Sequence, residues 1–100
     1  MLMNRLPLTI PVDHPSYAGH FPGRPITPGV VLLDETLYVL GEALAIAPGK
    51  LVLHTVKFIS PHHPGESLTV HYEMKSQDKV HFEIAAEDRV IAIGSYSAKP

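Results

Sequence analysis

One hundred residues, 45% apolar and 18% charged, suit one domain, residues 1–100, with a single modest core. The absence of cysteine excludes disulfides and thiolate metal sites, and a net charge of −2 lacks the basic excess of a nucleic-acid-binding protein. No apolar run reaches the ~18 residues of a membrane-spanning helix and no signal-peptide pattern is present, so a cytoplasmic chain with neither membrane nor nucleic-acid partner is expected.

In chain order, Leu8 to Val12 reads as a short strand, and Asp13-His14-Pro15-Ser16 as a turn. Ten prolines are about twice the average usage of ~5%, and five of them fall between positions 11 and 28. Tyr17 to Pro28 is therefore an ordered irregular loop, because Gly19, Pro22, Gly23, Pro25 and Pro28 leave no room for a regular element. A helix follows, with Thr27 as N-cap and Pro28 at its first position. Leu33, Leu37, Leu40 and Leu44 step by four, three and four along it. Val30, Val31, Tyr38 and Val39 widen its apolar surface, so other structure should wrap it. Ala47-Pro48-Gly49 ends it.

Lys50 to Ser60 is rich in β-branched and apolar residues. Leu68 to Met74 and Val80 to Ile84 alternate apolar with polar positions, and Arg89 to Ala98 is apolar on both faces at Val90–Ile93. Turns at Ser76–Lys79 and Glu87–Asp88 make the last three strands an antiparallel meander. The fold class expected is α+β, with one long central helix wrapped by a curved antiparallel sheet. One helix leaves part of such a sheet uncovered. Ile91 and Ile93 are candidates for a pairing surface, and at least a dimer is expected.

Two side chains are candidates for chemistry. His20, in the rigid loop between Gly19 and Phe21, has the side chain best suited to act as a base near pH 7. Asp34 has Val30, Val31, Leu37 and Tyr38 as its neighbours one turn away. Burial among them would favour the protonated carboxyl that a general acid needs, whereas Glu35 should be the solvated residue. The amide of Gly29 falls in the first helical turn, where N–H groups lack helical partners and can polarise a carbonyl oxygen. Each feature also has an ordinary reading: a hydrogen-bonded loop histidine, a surface carboxylate, and a plain Thr-Pro-Gly helix start.

The run Gly19-His20-Phe21-Pro22-Gly23-Arg24-Pro25-Ile26-Thr27-Pro28-Gly29-Val30 resembles the GHFPGxPxxPGV signature of FabA/FabZ-type 3-hydroxyacyl-[acyl-carrier-protein] dehydratases, which have the hotdog fold. Val56-Lys57-Phe58, Pro61 and Pro64-Gly65-Glu66 resemble the family's VKFxxPxxPG segment. The compact chain and HFPGRPITPGVVLLDE look most like the small dehydratases of aryl polyene clusters. The resemblance implies that His20 is the catalytic base, Asp34 its acid partner, and Gly29 and Phe21 the backbone amides at the thioester carbonyl. It implies a homodimer or higher assembly in which the His and the acid of one site come from different protomers. It also implies a hydro-lyase that converts a 3-hydroxyacyl thioester on acyl-carrier protein to the trans-2-enoyl thioester, in fatty-acid or polyene-type biosynthesis, with no cofactor. Val31, Leu33 and Phe58 are expected to line the acyl channel, and Arg24 and Lys57 to meet the acidic carrier. The family's Gln four residues after the acid is here Tyr38, Thr27 stands where Met is common, and the N-terminal PHRxPF-like run is absent.

Two other readings use the same fold: an acyl thioesterase in which Asp34 activates water, and a non-catalytic protein that binds acyl-carrier protein. A metal site is not expected. His54, His62, His63, His71 and His81 show no HxxH or HExxH spacing and read, with His14, as surface residues.

Overall fold

The computed structural model describes residues 4–11, 13–15 and 26–99. Five strands and one long helix follow in the order β1 (Asn4–Leu8), α1 (Gly29–Leu44), β2 (Leu51–Phe58), β3 (Leu68–Ser76), β4 (Lys79–Ala85) and β5 (Val90–Ala98). All neighbouring strands are antiparallel, in the spatial order β1-β3-β4-β5-β2. The expected α+β class and the meander of the last three strands are both present. Among the described residues no helix is long and apolar enough to cross a membrane.

Period-2 alternation builds the sheet. Val80, Phe82 and Ile84 of β4 are buried while the residues between them are only half covered. Phe82 and Tyr96 stack across the sheet with ring centroids 5.0 Å apart. The first strand lies earlier than the sequence suggested, at Asn4–Leu8 instead of Leu8 to Val12. Its Pro7 is tolerated because β1 is an edge, where a missing N–H need not break the ladder.

The helix also departs from expectation. It starts at Gly29, with Pro28 in the N-cap position and no side-chain cap. Thr27 is not its cap. Its buried row is Leu32, Thr36, Leu40 and Gly41 instead of the expected leucine stripe; Leu33, Leu37 and Leu44 flank the core partly buried. Thr36 is accommodated because its hydroxyl donates to the Leu32 carbonyl at 2.7 Å. The helix ends at Leu44. Ala45 follows in the left-handed region (φ 56°), and the Ile46 amide closes back on the Gly41 carbonyl at 2.9 Å. A single 3-10 turn, Pro48–Lys50, then leads into β2. Ile91, expected at a pairing surface, is fully buried in the core, whereas Ile93 is exposed.

β2 and β5 touch closely at Gly94. A Cβ there would collide with the Thr55 carbonyl oxygen, the Val56 Cα and the Phe82 ring, two of them backbone atoms that cannot step aside. Gly94→Ala should therefore lower stability by about 1–3 kcal/mol, the usual cost of overpacking a core. Urea denaturation followed by circular dichroism checks this, and an unchanged midpoint would show that the sheet gives way at this point.

Candidate active site

The first turn of α1 is held from two sides. From β2, the Phe58 ring lies flat against Gly29, where an added Cβ would sit 2.5 Å from its Cζ. Within the turn, the Pro28 carbonyl accepts the amides of Val31 (3.0 Å) and Leu32 (3.3 Å). The amides of Gly29 and Val30 precede any helical acceptor and have no partner among the described residues, as the start of a helix dictates. These two N–H groups, at the positive end of the helix dipole, can receive a carbonyl oxygen.

Asp34 lies about 7.5 Å further along the axis, at 1.5 Å per residue. Each residue turns about 100°, so Asp34 is about 200° from the inward Leu32 and points away from the sheet. The isolated chain accordingly leaves Asp34 exposed and Glu35 half-buried, the reverse of the solvation expected from their neighbours. Asp34 joins Leu37, Tyr38, Gly41, Glu42 and Ile46 in a shallow groove on the outer side of the helix. Tyr38 is hydrogen-bonded to Glu42, and the Glu42 and Glu35 charges add to that bond in holding its hydroxyl above the usual pKa of 10.0. Behind Asp34, the Tyr96 hydroxyl donates to the Leu33 carbonyl at 2.8 Å. Burial first, and the Asp34 charge second, push the Tyr96 pKa up.

His20, Phe21 and Arg24 lie outside the described residues. Gly29 and Phe58 meet at the helix start, whereas Asp34 lies about 140° around the helix from Gly29, on the face of Val30 and Tyr38; Val31 and Leu33 pack partly buried against the core. Lys57 does not join them. It precedes Phe58 in an extended strand and so points to the opposite face of the sheet, where it borders a groove with His81, Glu83 and Ile93. Among the described residues no three His, Asp or Glu side chains converge on a point that could hold a metal ion.

His62, expected on the surface, is buried, with 1% of its area exposed. It opens the turn between β2 and β3, whose corner residues are Pro64 and Gly65 (φ 89°), closed by the Glu66 amide on the His63 carbonyl at 3.2 Å. Glu66 is fixed in turn. Its carboxylate accepts the His63 amide at 2.9 Å and both guanidinium nitrogens of Arg89, at 2.7 and 2.5 Å. Arg89 also donates to the Pro61 carbonyl at 2.7 Å. These bonds, Arg89 first, hold the Glu66 pKa down at about 2.

A family model described as ApeI-like, ApeI dehydratase, matches residues 3–95. The chain belongs to this family of hotdog-type dehydratases. FabZ 3-hydroxyacyl-[acyl-carrier-protein] dehydratase of Agrobacterium fabrum is 29% identical over 94 residues, covering 83% of this chain and 61% of the relative. The chain spans less than two thirds of the length of that curated relative and of the FabZ from Bartonella bacilliformis, for which the share is 47%. Among solved structures, a protein from Erwinia carotovora subsp. atroseptica superposes with a TM-score of 0.73 at 20% identity, covering 100% of this chain and 95% of that one. The dehydratase heterocomplex ApeI:P from Xenorhabdus doucetiae gives 0.69 at 19% identity, covering 100% and 97%. Both confirm the hotdog arrangement of one helix against a five-stranded antiparallel sheet.

The Glu66–Arg89 pair makes stability depend on acid. A carboxyl whose folded pKa is depressed stabilises fully above its ordinary 4.5 and loses that contribution as pH falls toward about 2. Arg89→Gln should therefore lower the Tm at pH 7, and the difference from the wild type should shrink as pH falls through this window. A deficit that stays constant with pH in thermal melts would contradict the pairing.

Proposed function

We propose that this chain is a cytoplasmic 3-hydroxyacyl-[acyl-carrier-protein] dehydratase, and that one chain supplies half of each active site. The observation that carries the reading is the pair of amides at Gly29 and Val30 that have no partner among the described residues, on the same helix as the exposed Asp34, in a member of a dehydratase family. A thioester carbonyl bonded to the Gly29 amide, with the Phe21 amide close by, gains stabilisation for negative charge on its oxygen, and its C2–H becomes more acidic. His20 removes that proton. The electron pair forms the C2=C3 double bond, the C3–O bond breaks, and the hydroxyl leaves as water with the proton of Asp34. The proton on His20 then returns to Asp34 through solvent. Every step runs in reverse as hydration.

The face bearing Val30, Asp34 and Tyr38 is open in the single chain, with Val30 64% and Tyr38 61% exposed. β2 is a sheet edge that shows Val52, Leu53 and Phe58 to solvent, with Ile59 exposed just after it. A second copy pairing along β2 would cover both surfaces, desolvate Asp34 and bring its own loop to the groove. The Xenorhabdus neighbour is a heterocomplex, so a non-identical hotdog chain is the alternative partner, and the mass of the purified assembly separates the two. Substrates in this reading are acyl chains on acyl-carrier protein in fatty-acid or polyene-type synthesis, lying between Val31, Leu33 and Phe58.

The test is incubation with a 3-hydroxyacyl thioester, following enoyl absorbance and free thiol together. Enoyl product without thiol is expected, and His20→Ala and Asp34→Asn should each lower turnover by about 10²–10⁴-fold, the usual worth of a positioned acid or base. Thiol release at the rate of substrate loss would favour the thioesterase. Carrier binding with neither product would favour a non-catalytic role.

A further inference from the structure

The buried imidazole of His62 has no part in the elimination, yet both of its nitrogens are engaged. Nε2 is 3.0 Å from the Glu66 carbonyl and Nδ1 is 2.7 Å from the Thr27 hydroxyl. A carbonyl can only accept, so Nε2 carries a hydrogen and donates it there, while Nδ1 is paired with the Thr27 hydroxyl. The main chains add a second link, the Thr27 amide donating to the His62 carbonyl at 2.9 Å. Thr27 and His62, 35 residues apart in sequence, are therefore bonded through both backbone and side chain, each with less than 5% of its area exposed.

Packing alone does not require this arrangement. An apolar side chain would fill the same space without desolvating an imidazole and a hydroxyl. A pair of directed bonds adds orientation. Thr27 is joined to Gly29 only through Pro28, whose ring fixes φ at −59°, leaving ψ (143°) as the one soft torsion between Thr27 and the Gly29 amide plane. On the other side the Phe58 ring bears on the Gly29 Cα. β2 and the turn that follows it thus grip the helix start twice, and Arg89 braces that turn through Glu66 and Pro61.

We infer that His62 is a positioning residue: its ring, bonded to Thr27 and to the Glu66 carbonyl, fixes the direction in which the Gly29 amide meets the thioester carbonyl. This role rests on the dehydratase reading above. It acts on charge that develops during the reaction, so its loss should appear in kcat more than in KM.

The test compares His62→Leu, Thr27→Val and Thr27→Ser in the full chain, measuring kcat and KM on a 3-hydroxyacyl thioester together with the Tm and the ¹⁵N-NMR position of the Gly29 amide without substrate. His62→Leu and Thr27→Val should lose about 10–100-fold in kcat, the order of loss expected when a reacting group is displaced by about 1 Å, with KM nearly unchanged and the Gly29 signal moved. Thr27→Ser, which keeps the hydroxyl, should restore kcat and the Gly29 signal toward wild type. If His62→Leu does not fold, Thr27→Val, of nearly equal size, carries the test. A folded Thr27→Val protein with wild-type kcat, or an equal loss in Thr27→Ser and Thr27→Val, overturns the assignment while wild-type turnover leaves the dehydratase reading standing. A wild type that forms no enoyl product overturns both.

Discussion

A side chain on residue 29 and the ring of Phe58 cannot occupy the same space, and the arrangement of the helix start follows from that contact. With hydrogen in place of Cβ, the end of β2 lies directly against the first turn of α1. Its leading amides, without a partner among the described residues, stand at the positive pole of a sixteen-residue helix. The same absence of a side chain that lets Phe58 approach would let a ligand approach from the open side. The turn after β2 continues the grip through His62 and Thr27, so one strand and its turn define where α1 begins and how its first amides point.

The opposite side of the helix is unfinished in the single chain. Leu32, Thr36 and Leu40 take the sheet, and helical geometry then turns Asp34 outward, beside large apolar side chains that remain exposed. β2, with Val52, Leu53 and Phe58 exposed, is a free edge of the sheet. Burial under a protein surface favours the protonated form of a carboxyl, the form an acid catalyst needs. In the proposed dimer, assembly and acid catalysis therefore have one physical cause, the covering of this face.

Much of the fold was legible because its determinants are local. Alternation at Val80, Phe82 and Ile84 fixed a strand and its inward face, and the run of apolar residues after Pro28 identified a helix. The inward side of that helix was not legible. With Val30, Val31, Leu32 and Leu33 in succession, apolar residues occur on nearly every side, and the choice of Leu32 over Leu33 is made by the sheet. Thr27 looked like an N-cap by type and position, but Pro28 takes the cap position and the hydroxyl is used by a residue distant in sequence. The signal that could have singled out His62 was its place between Pro61 and the Pro64-Gly65 corner, in a turn too rigid to leave its ring in open solvent. Spacing could not show that Arg89 braces the same turn. His20 and Asp34 were singled out by motif; His20 lies outside the described residues, and in the proposed dimer their meeting depends on a second chain.

Activity shared between copies tests the half-site most directly. His20→Ala and Asp34→Asn chains, each inactive alone, are co-expressed with different affinity tags, and the doubly tagged assemblies are assayed for enoyl formation. If each site takes its histidine from one copy and its aspartate from the other, a mixed dimer contains one intact site and one doubly defective site, so about half of wild-type activity per dimer should return. Doubly tagged assemblies as inactive as either parent would contradict a site built between two copies of this chain.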